Sequence, residues 1–241
     1  MEENYTAGDM KFSERIENFW YHYKWHTVIA LFLIFAITIS SLQMCQKEDF
    51  DTYIMYAGAH EIDKKSSDGD ISDYKATLSS LARVVSDYNE DGEVTVSFKT
   101  LFAPSEDELA KIKEENPKAE INYSLLEEDR RILIENIRYS DYYVCFISKS
   151  VYDQYKNVDE VRIFAPLSTY VESGKNVEYY SDSAILLSSV GFYSLPGICD
   201  LPSDTLVCLR TVSPFASKTN KKRATSEFKK AEEIIAKILN Y

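Results

Sequence analysis

Apolar and polar positions along this chain follow three different rules, and each rule predicts a different element. From Trp25 to Met44 apolar residues run on without any formal charge, bounded by Lys24 and Lys47. At about 1.5 Å per residue, roughly 20 such residues cross a hydrocarbon layer of about 30 Å. A helix satisfies its own backbone there, so this pattern predicts a transmembrane helix over residues 25–46. Beyond it the pattern becomes periodic. Ile71, Tyr74, Leu78, Leu81, Ala82, Val85 and Tyr88 recur at steps of three and four, predicting a helix that ends at Asp87-Tyr88-Asn89-Glu90-Asp91-Gly92. Val94, Val96 and Phe98 alternate with polar residues, predicting a strand. Asp51 to Gly58 reads as an earlier strand ending at glycine.

Capping signatures place the next elements. Ser105 with Glu108 opens a short helix that stops near Asn116-Pro117, and Ser124 with Glu127 opens one carrying Leu126, Leu133, Ile134 and Ile137. Tyr142 to Ile147 is a continuous apolar run, as suits a central strand covered on both faces. A short helix follows near Ser150 or Val151, then a brief strand at Val161–Phe164. Ala184 to Val190 reads either as a helical turn capped by Ser183 or as a strand. Thr205–Val212 is a strand, and Ala224, Phe228, Ala231, Ile235 and Ile238 mark one face of a last helix. Strands alternating with helices imply right-handed crossovers. The fold class is therefore α/β: an N-terminal transmembrane helix, then a single three-layer domain with a mostly parallel sheet. The boundaries fall at 1–24 for a tail, 25–46 for the span and 47–241 for the domain.

Charge adds orientation. Lys11, Arg15 and Lys24 precede the span and only Lys47 follows it closely, which predicts a cytoplasmic N-terminus and an extracellular domain. Phe19-Trp20-Tyr21-His22-Tyr23-Lys24-Trp25 holds both tryptophans of the chain and reads as an aromatic belt at the inner headgroup layer. A cleavable signal peptide wants a shorter apolar core and a small-x-small exit, which Ser40 to Cys45 does not supply. A lipoprotein would use Cys45, but Met44 is too large for the residue before it. The partner expected for residues 25–46 is thus the lipid bilayer. The formal net charge is −12, of which residues 1–46 hold −2, so the domain carries −10. Such a surface repels polyanions, and nucleic acid is not an expected partner.

Little in the domain resembles a reactive centre. There is no Gly-x-Gly-x-x-Gly, P-loop, nucleophile elbow or His-Glu-x-x-His. No cofactor is expected. Only His60 among the three histidines lies in the domain. Open parallel sheets bind ligands at the carboxyl ends of their strands, which nominates Gly58, His60, Glu61, Thr100, Ser148 and Lys149 as ligand-binding residues. Asp87-x-Asn89-x-Asp91-Gly92 matches the first half of a calcium loop. Its twelfth position is Phe98, where glutamate is expected, so a plain turn is the reading preferred. Cys199 and Cys208 bracket a short turn-rich segment and are candidates for a local disulfide, whereas Cys145 reads as a buried thiol. The basic cluster Lys218, Lys221, Lys222 and Arg223 reads as a solvated stretch before the last helix.

Two stretches carry resemblances. Phe19 to His26 followed by an apolar span resembles uncharacterised single-pass membrane proteins of Gram-positive bacteria. Ser140 to Lys149, followed by Phe164-Ala165-Pro166-Leu167-Ser168-Thr169-Tyr170, is similar to a stretch of extracellular solute-binding proteins. That similarity implies one lobe of the type 2 binding fold; about 195 residues do not accommodate two. The expected function is a membrane-anchored extracellular binding or interaction domain without catalysis, for a small molecule, peptide or envelope protein. The alternative is a structural or assembly component docking on another envelope protein through an apolar or tyrosine-rich face, and an unrecognised hydrolase ranks below both.

Overall fold

A computed structural model describes residues 12–45, 50–62, 72–117, 121–213 and 218–241. The chain divides into two compact units, Met1–Glu48 and Asp49–Tyr241.

The first unit is one helix, α1 (Phe12–Cys45). Its segment Phe19–Ser40 is long and apolar enough to cross a membrane, or to serve as a signal sequence, and none of it is buried. The aromatic run belongs to the same helix; Phe19 and Tyr23 stack at 5.3 Å between ring centroids. Its hydroxyls bond back into the helix, Thr27 to the Tyr23 carbonyl at 3.0 Å and Thr38 to the Ile34 carbonyl at 2.8 Å. No polar group of these side chains then needs water.

In the second unit β1 (Thr52–Gly58), α2 (Ser72–Leu81), β2 (Val96–Phe102), α3 (Glu106–Glu115), α4 (Tyr123–Tyr139), β3 (Val144–Ile147) and α5 (Lys149–Tyr155) come first. A small hairpin of β4 (Asn157–Val158) and β5 (Val161–Arg162) follows. Then come β6 (Tyr179–Ser181), β7 (Ala184–Leu186), β8 (Leu206–Leu209) and α6 (Lys218–Leu239). The main sheet has the order β2-β1-β3-β8-β7-β6. Its first three strands are parallel, and β8, β7 and β6 each run antiparallel to the strand before. Antiparallel neighbours need only tight connections; β6 and β7 are joined through Asp182 and Ser183 alone.

Successive side chains of β1 point to opposite faces. Ile54 and Tyr56 join Val144, Phe146, Val207 and Leu209 in a core closed by Leu81 and Val84 beyond α2 and by Ile234, Ile235 and Ile238 of α6. Met55 and Ala57 join Cys145, Ile147 and Cys208 in a second core closed by Leu133 and Ile137 of α4 and Val151 of α5. Both sheet faces are covered, so the domain has three layers. Edge strand β2 is blunted by side chains. The Tyr74 hydroxyl donates to the Phe98 carbonyl at 2.8 Å, and the Phe102 N–H donates to Asp129 at 3.0 Å.

Two buried charges organise the loops. Asp51 is wholly buried, and its carboxylate accepts the N–H groups of Tyr88 (2.7 Å), Asn89 (3.0 Å) and Thr95 (2.8 Å). That anchor holds the backbone of residues 88–95 as a loop. The apolar stripe expected to continue to Tyr88 leaves α2 at Leu81 and enters the core through a turn; Ile71 lies outside the described residues. Arg210 is 1 % exposed. Its guanidinium donates to the carbonyls of Ile137 (3.3 Å), Ser140 and Tyr142 (3.1 Å) and lies over the Tyr143 ring at 4.5 Å. It satisfies the carbonyl end of α4, where a cation is favoured.

Several expectations are corrected. Ser105 and Glu108 form the capping box of α3, but Asn122, not Ser124, caps α4, accepting the Leu125 N–H at 3.2 Å. The helix thus starts earlier, and Ile134 falls outside the core with 39 % exposure. Ala184–Val190 is strand first and 3₁₀ turn after. Cys199 and Cys208 are not bridged: Cys199 is exposed beside Asp200, while Cys208 is fully buried opposite Cys145 in β3.

Candidate functional site

Strands β1, β2 and β3 end at one edge of the sheet because they are parallel. The β1–β2 connection packs α2 on one face, and the β2–β3 connection packs α4 on the other. The strand order reverses between β1 and β3, the place where open α/β sheets admit ligands. Here Tyr56, Gly58 and Ser148 pack together. The Tyr56 hydroxyl accepts the His60 N–H at 3.3 Å. A Cβ on Gly58 would lie 2.7 Å from that hydroxyl and 3.3 Å from Ser148 Cβ, so only glycine lets these side chains close. Burial raises the Tyr56 hydroxyl above its ordinary pKa, the His60 N–H opposes this, and the charges of Asp204 and Glu108 add to it. The phenol stays protonated at neutral pH.

Ser148 and Lys149 serve α5. Ser148 caps the helix by accepting the Val151 N–H at 3.3 Å and shares a hydrogen with Ser150 at 2.8 Å. Ser150 donates to Glu108 at 2.9 Å, and Glu108 in turn holds the Ser105 N–H at 2.7 Å. The Lys149 ammonium stands 5.6 Å from the centre of the Tyr180 ring, and Tyr180 donates to Asp153 at 2.6 Å. These groups are spent on one another. Thr100 pairs with Tyr56 in the register of β2 and β1, two residues short of the strand end.

A cleft of about 410 Å³ sits beyond the ends of β1 and β2, between the C-terminal half of α3 and the start of α4. His60 and Glu61 line it, whereas Gly58, Thr100, Ser148 and Lys149 do not. Its apolar lining comes from Phe102, Ile112, Ile121, Leu125 and Leu126, and Asn116 and Asn122 add amides. The pattern of α4 hides this site, because the helix has two apolar directions. Leu126, Leu133 and Ile137 enter the core, while Leu125, next to Leu126 and 50 % exposed, faces the cleft. The signal that finds it is an apolar residue beside a cap on an otherwise charged face. A second signal is α3, a capped helix with no buried side chain that still presents Ile112.

The calcium-like loop closes on itself. Asp87 accepts the Gly92 N–H at 2.9 Å, Asn89 accepts the Asp91 N–H at 3.0 Å, and Asp91 accepts the Glu93 N–H at 2.9 Å. The last two are the bonds of consecutive Asx turns, and the first ties the loop across five residues. Among the described residues no cluster of three or more His, Cys, Asp or Glu side chains could hold a metal ion. A smaller depression of about 210 Å³ is lined by Tyr152, Lys156, Asn157, Arg162, Asp182 and Ser183. Its cations are already paired, Lys156 with Asp153 at 2.9 Å and Arg162 with Asp182 at 2.6 Å.

Comparison of the chain with protein-family models, with curated proteins and with solved structures finds no match. The cleft therefore has to be read from its own geometry.

Proposed function

We propose that this chain is a single-pass membrane protein whose domain binds a ligand in the cleft beyond β1 and β2, without catalysing its conversion. The observation that carries this reading is the cleft itself. Its volume falls within the range of about 300–1,000 Å³ common to small-ligand sites, and its lining combines apolar side chains with polar groups. The likeness of residues 140–149 and 164–170 to one lobe of solute-binding proteins supports it, though a single lobe holds its ligand without closing a second over it. The excess of Lys11, Arg15 and Lys24 before the span favours a cytoplasmic N-terminus and an extracellular domain.

A thermal-shift screen of the whole chain in lipid nanodiscs tests the binding reading. A hit should raise the unfolding temperature of the wild type and leave Leu125→Ser unmoved. Hits that ignore this substitution would move the site elsewhere. Protease added to intact cells tests the orientation: it should digest residues 49–241 and spare an N-terminal tag.

One observation favours a second reading, assembly with another envelope protein. Tyr179 and Tyr180 are 44 % and 39 % exposed on β6, which pairs on one side only. Crosslinking from a photoreactive residue at position 179 to a neighbouring membrane protein would support it.

A further inference from the structure

We propose that His22 and His26 form a two-imidazole site for a divalent transition metal ion on one face of α1. The proposal is independent of the cleft and of what binds there. Histidine is scarce in this chain, and two of its three copies stand four residues apart in one helix. Four residues advance a helix by about 6 Å and turn it about 40° past a full circle. The Cβ atoms of such a pair lie about 5–6 Å apart on one face. Two histidines at this spacing converge on one ion, with metal–nitrogen bonds of about 2.0–2.1 Å.

The rings are available for it. Both histidines are exposed. Each touches a neighbouring aromatic ring edge-on, His22 meeting Tyr21 at 5.2 Å and His26 meeting Tyr23 at 6.1 Å between centroids. Among the described residues no hydrogen bond or ion pair engages either imidazole. Long side chains of a helix lean toward its N-terminus, so the His26 ring leans over the turn that carries His22. Rotation of exposed side chains is all that closing the chelate requires. Nearby charge does not oppose an ion. Lys24 is two residues from each histidine and projects from the far side of the helix, about 160° from both. Arg15 shares the histidine face but lies seven residues, about 10 Å of rise, before His22. At physiological ionic strength a charge is screened over about 8 Å.

The donor set fixes the class of ion. Imidazole nitrogen suits Ni²⁺, Cu²⁺ and Zn²⁺, whereas Mg²⁺ and Ca²⁺ take oxygen. From Asn18 to Ala30, one turn to either side of the pair, the sequence has no Cys, Asp or Glu. The two histidines are thus the protein's whole contribution, and water fills the other positions of the ion.

The test uses the whole untagged chain in nanodiscs of zwitterionic lipid, with Cys45→Ser and Cys199→Ser removing competing thiols. Ni²⁺ is titrated by calorimetry with and without excess Mg²⁺, and Cu²⁺ is added at one equivalent for electron paramagnetic resonance. One Ni²⁺ should bind per chain, untouched by Mg²⁺, and the Cu²⁺ spectrum should show imidazole nitrogen ligation. His22→Ala and His26→Ala should each weaken Ni²⁺ about 100-fold, because a one-ended ligand loses its tethered second donor. Exchanging two positions, Lys24→His with His26→Lys, keeps the composition and sets the imidazoles on opposite sides of the helix. That variant should bind as weakly as the single ones. A loss of less than about 3-fold in either single variant, or full binding by the exchanged one, would place the ion elsewhere and overturn the proposal. Absence of Ni²⁺ binding in the parent chain overturns it as well.

Discussion

Replacing Asp51 by asparagine should cost the domain about 2–4 kcal/mol at pH 7, for reasons that can be counted atom by atom. Oδ1 accepts two backbone N–H groups, from Tyr88 and Asn89, and Oδ2 accepts the Thr95 N–H and, at 3.4 Å, its hydroxyl. Asparagine keeps one oxygen. Its best orientation leaves that oxygen with Tyr88 and Asn89 and turns the NH₂ toward Thr95. The Thr95 hydroxyl can rotate to accept, but the Thr95 N–H then faces a donor inside the protein. One stranded buried donor costs about 1–3 kcal/mol, and the two surviving bonds lose their charge assistance.

Acid provides an internal control. Burial pushes the Asp51 carboxyl pKa upward, but its hydrogen bonds from Thr95, Asn89 and Tyr88 outweigh burial and hold it below the ordinary aspartate value. A group with a depressed folded pKa contributes stability above the unfolded pKa of about 3.9 and loses it as pH falls through the folded value. The gap between wild type and Asp51→Asn should therefore be full at pH 7 and should close as the wild type is taken below about pH 4. Urea unfolding of residues 49–241, a compact unit by itself, followed by circular dichroism at pH 7, 5 and 3, measures it. A gap under about 0.5 kcal/mol at pH 7, or one that stays constant into acid, would refute the assignment of Asp51 as the anchor of the 88–95 loop.

Four further outcomes follow from the same structure. Arg210→Met strands three carbonyls at the end of α4 and should cost about 3 kcal/mol or more by urea unfolding. Arg210→Lys should fall between, since one ammonium cannot span all three. In the β4–β5 turn Asp159 and Glu160 hold φ of 50° and 65°, so Glu160→Gly should relieve strain, stabilise by up to about 1 kcal/mol and raise the melting temperature by about 2–4 °C. In a Cys45→Ser background a thiol reagent at pH 8 should modify Cys199 at once. It should reach Cys145 and Cys208 only in urea, because both are fully buried and burial pushes Cys145 up to about 12 and Cys208 well above its ordinary value. Amide hydrogen exchange should be faster in α3, which buries no side chain, than in α4, which buries four, and a cleft ligand should slow α3.

The parallel half of the sheet was legible in the sequence because both of its faces are covered. Met55-Tyr56-Ala57 and Val144-Cys145-Phe146-Ile147 are apolar without a break for that reason. The same signal is silent about direction. Leu206–Leu209 is as fully buried as β3 yet runs antiparallel to it, and nothing in a run of apolar residues records which way it points. Element ends were misread where contacts outside the element matter. The stripe from Tyr74 to Tyr88 is helical in spacing, but α2 closes in tight turns after Leu81, and Asp51, 37 residues before Tyr88, holds the Tyr88 and Asn89 N–H groups in a loop. Cys208 could not be paired from spacing, because its neighbour in the fold is Cys145, directly opposite on the adjacent strand, and not Cys199, nine residues away.

Of the six residues nominated at the strand ends, His60 and Glu61 line the cleft beyond β1 and β2 and the other four do not. The topological argument selects the crevice between β1 and β3, where backbone ends diverge. It does not foresee Tyr56, a residue of the first core whose hydroxyl lies against Gly58 and accepts the His60 N–H. Gly58 is the matching half of this closure, since any larger residue would push the phenol out. His60 and Glu61 line the cleft together with Ile112 of α3, a helix that stands on a capping box and buries none of its side chains completely. Tyr56→Phe keeps the ring, removes the acceptor for the His60 N–H, and should release the 59–61 loop. Its effect on ligand affinity should exceed its effect on global stability, which the buried ring continues to hold.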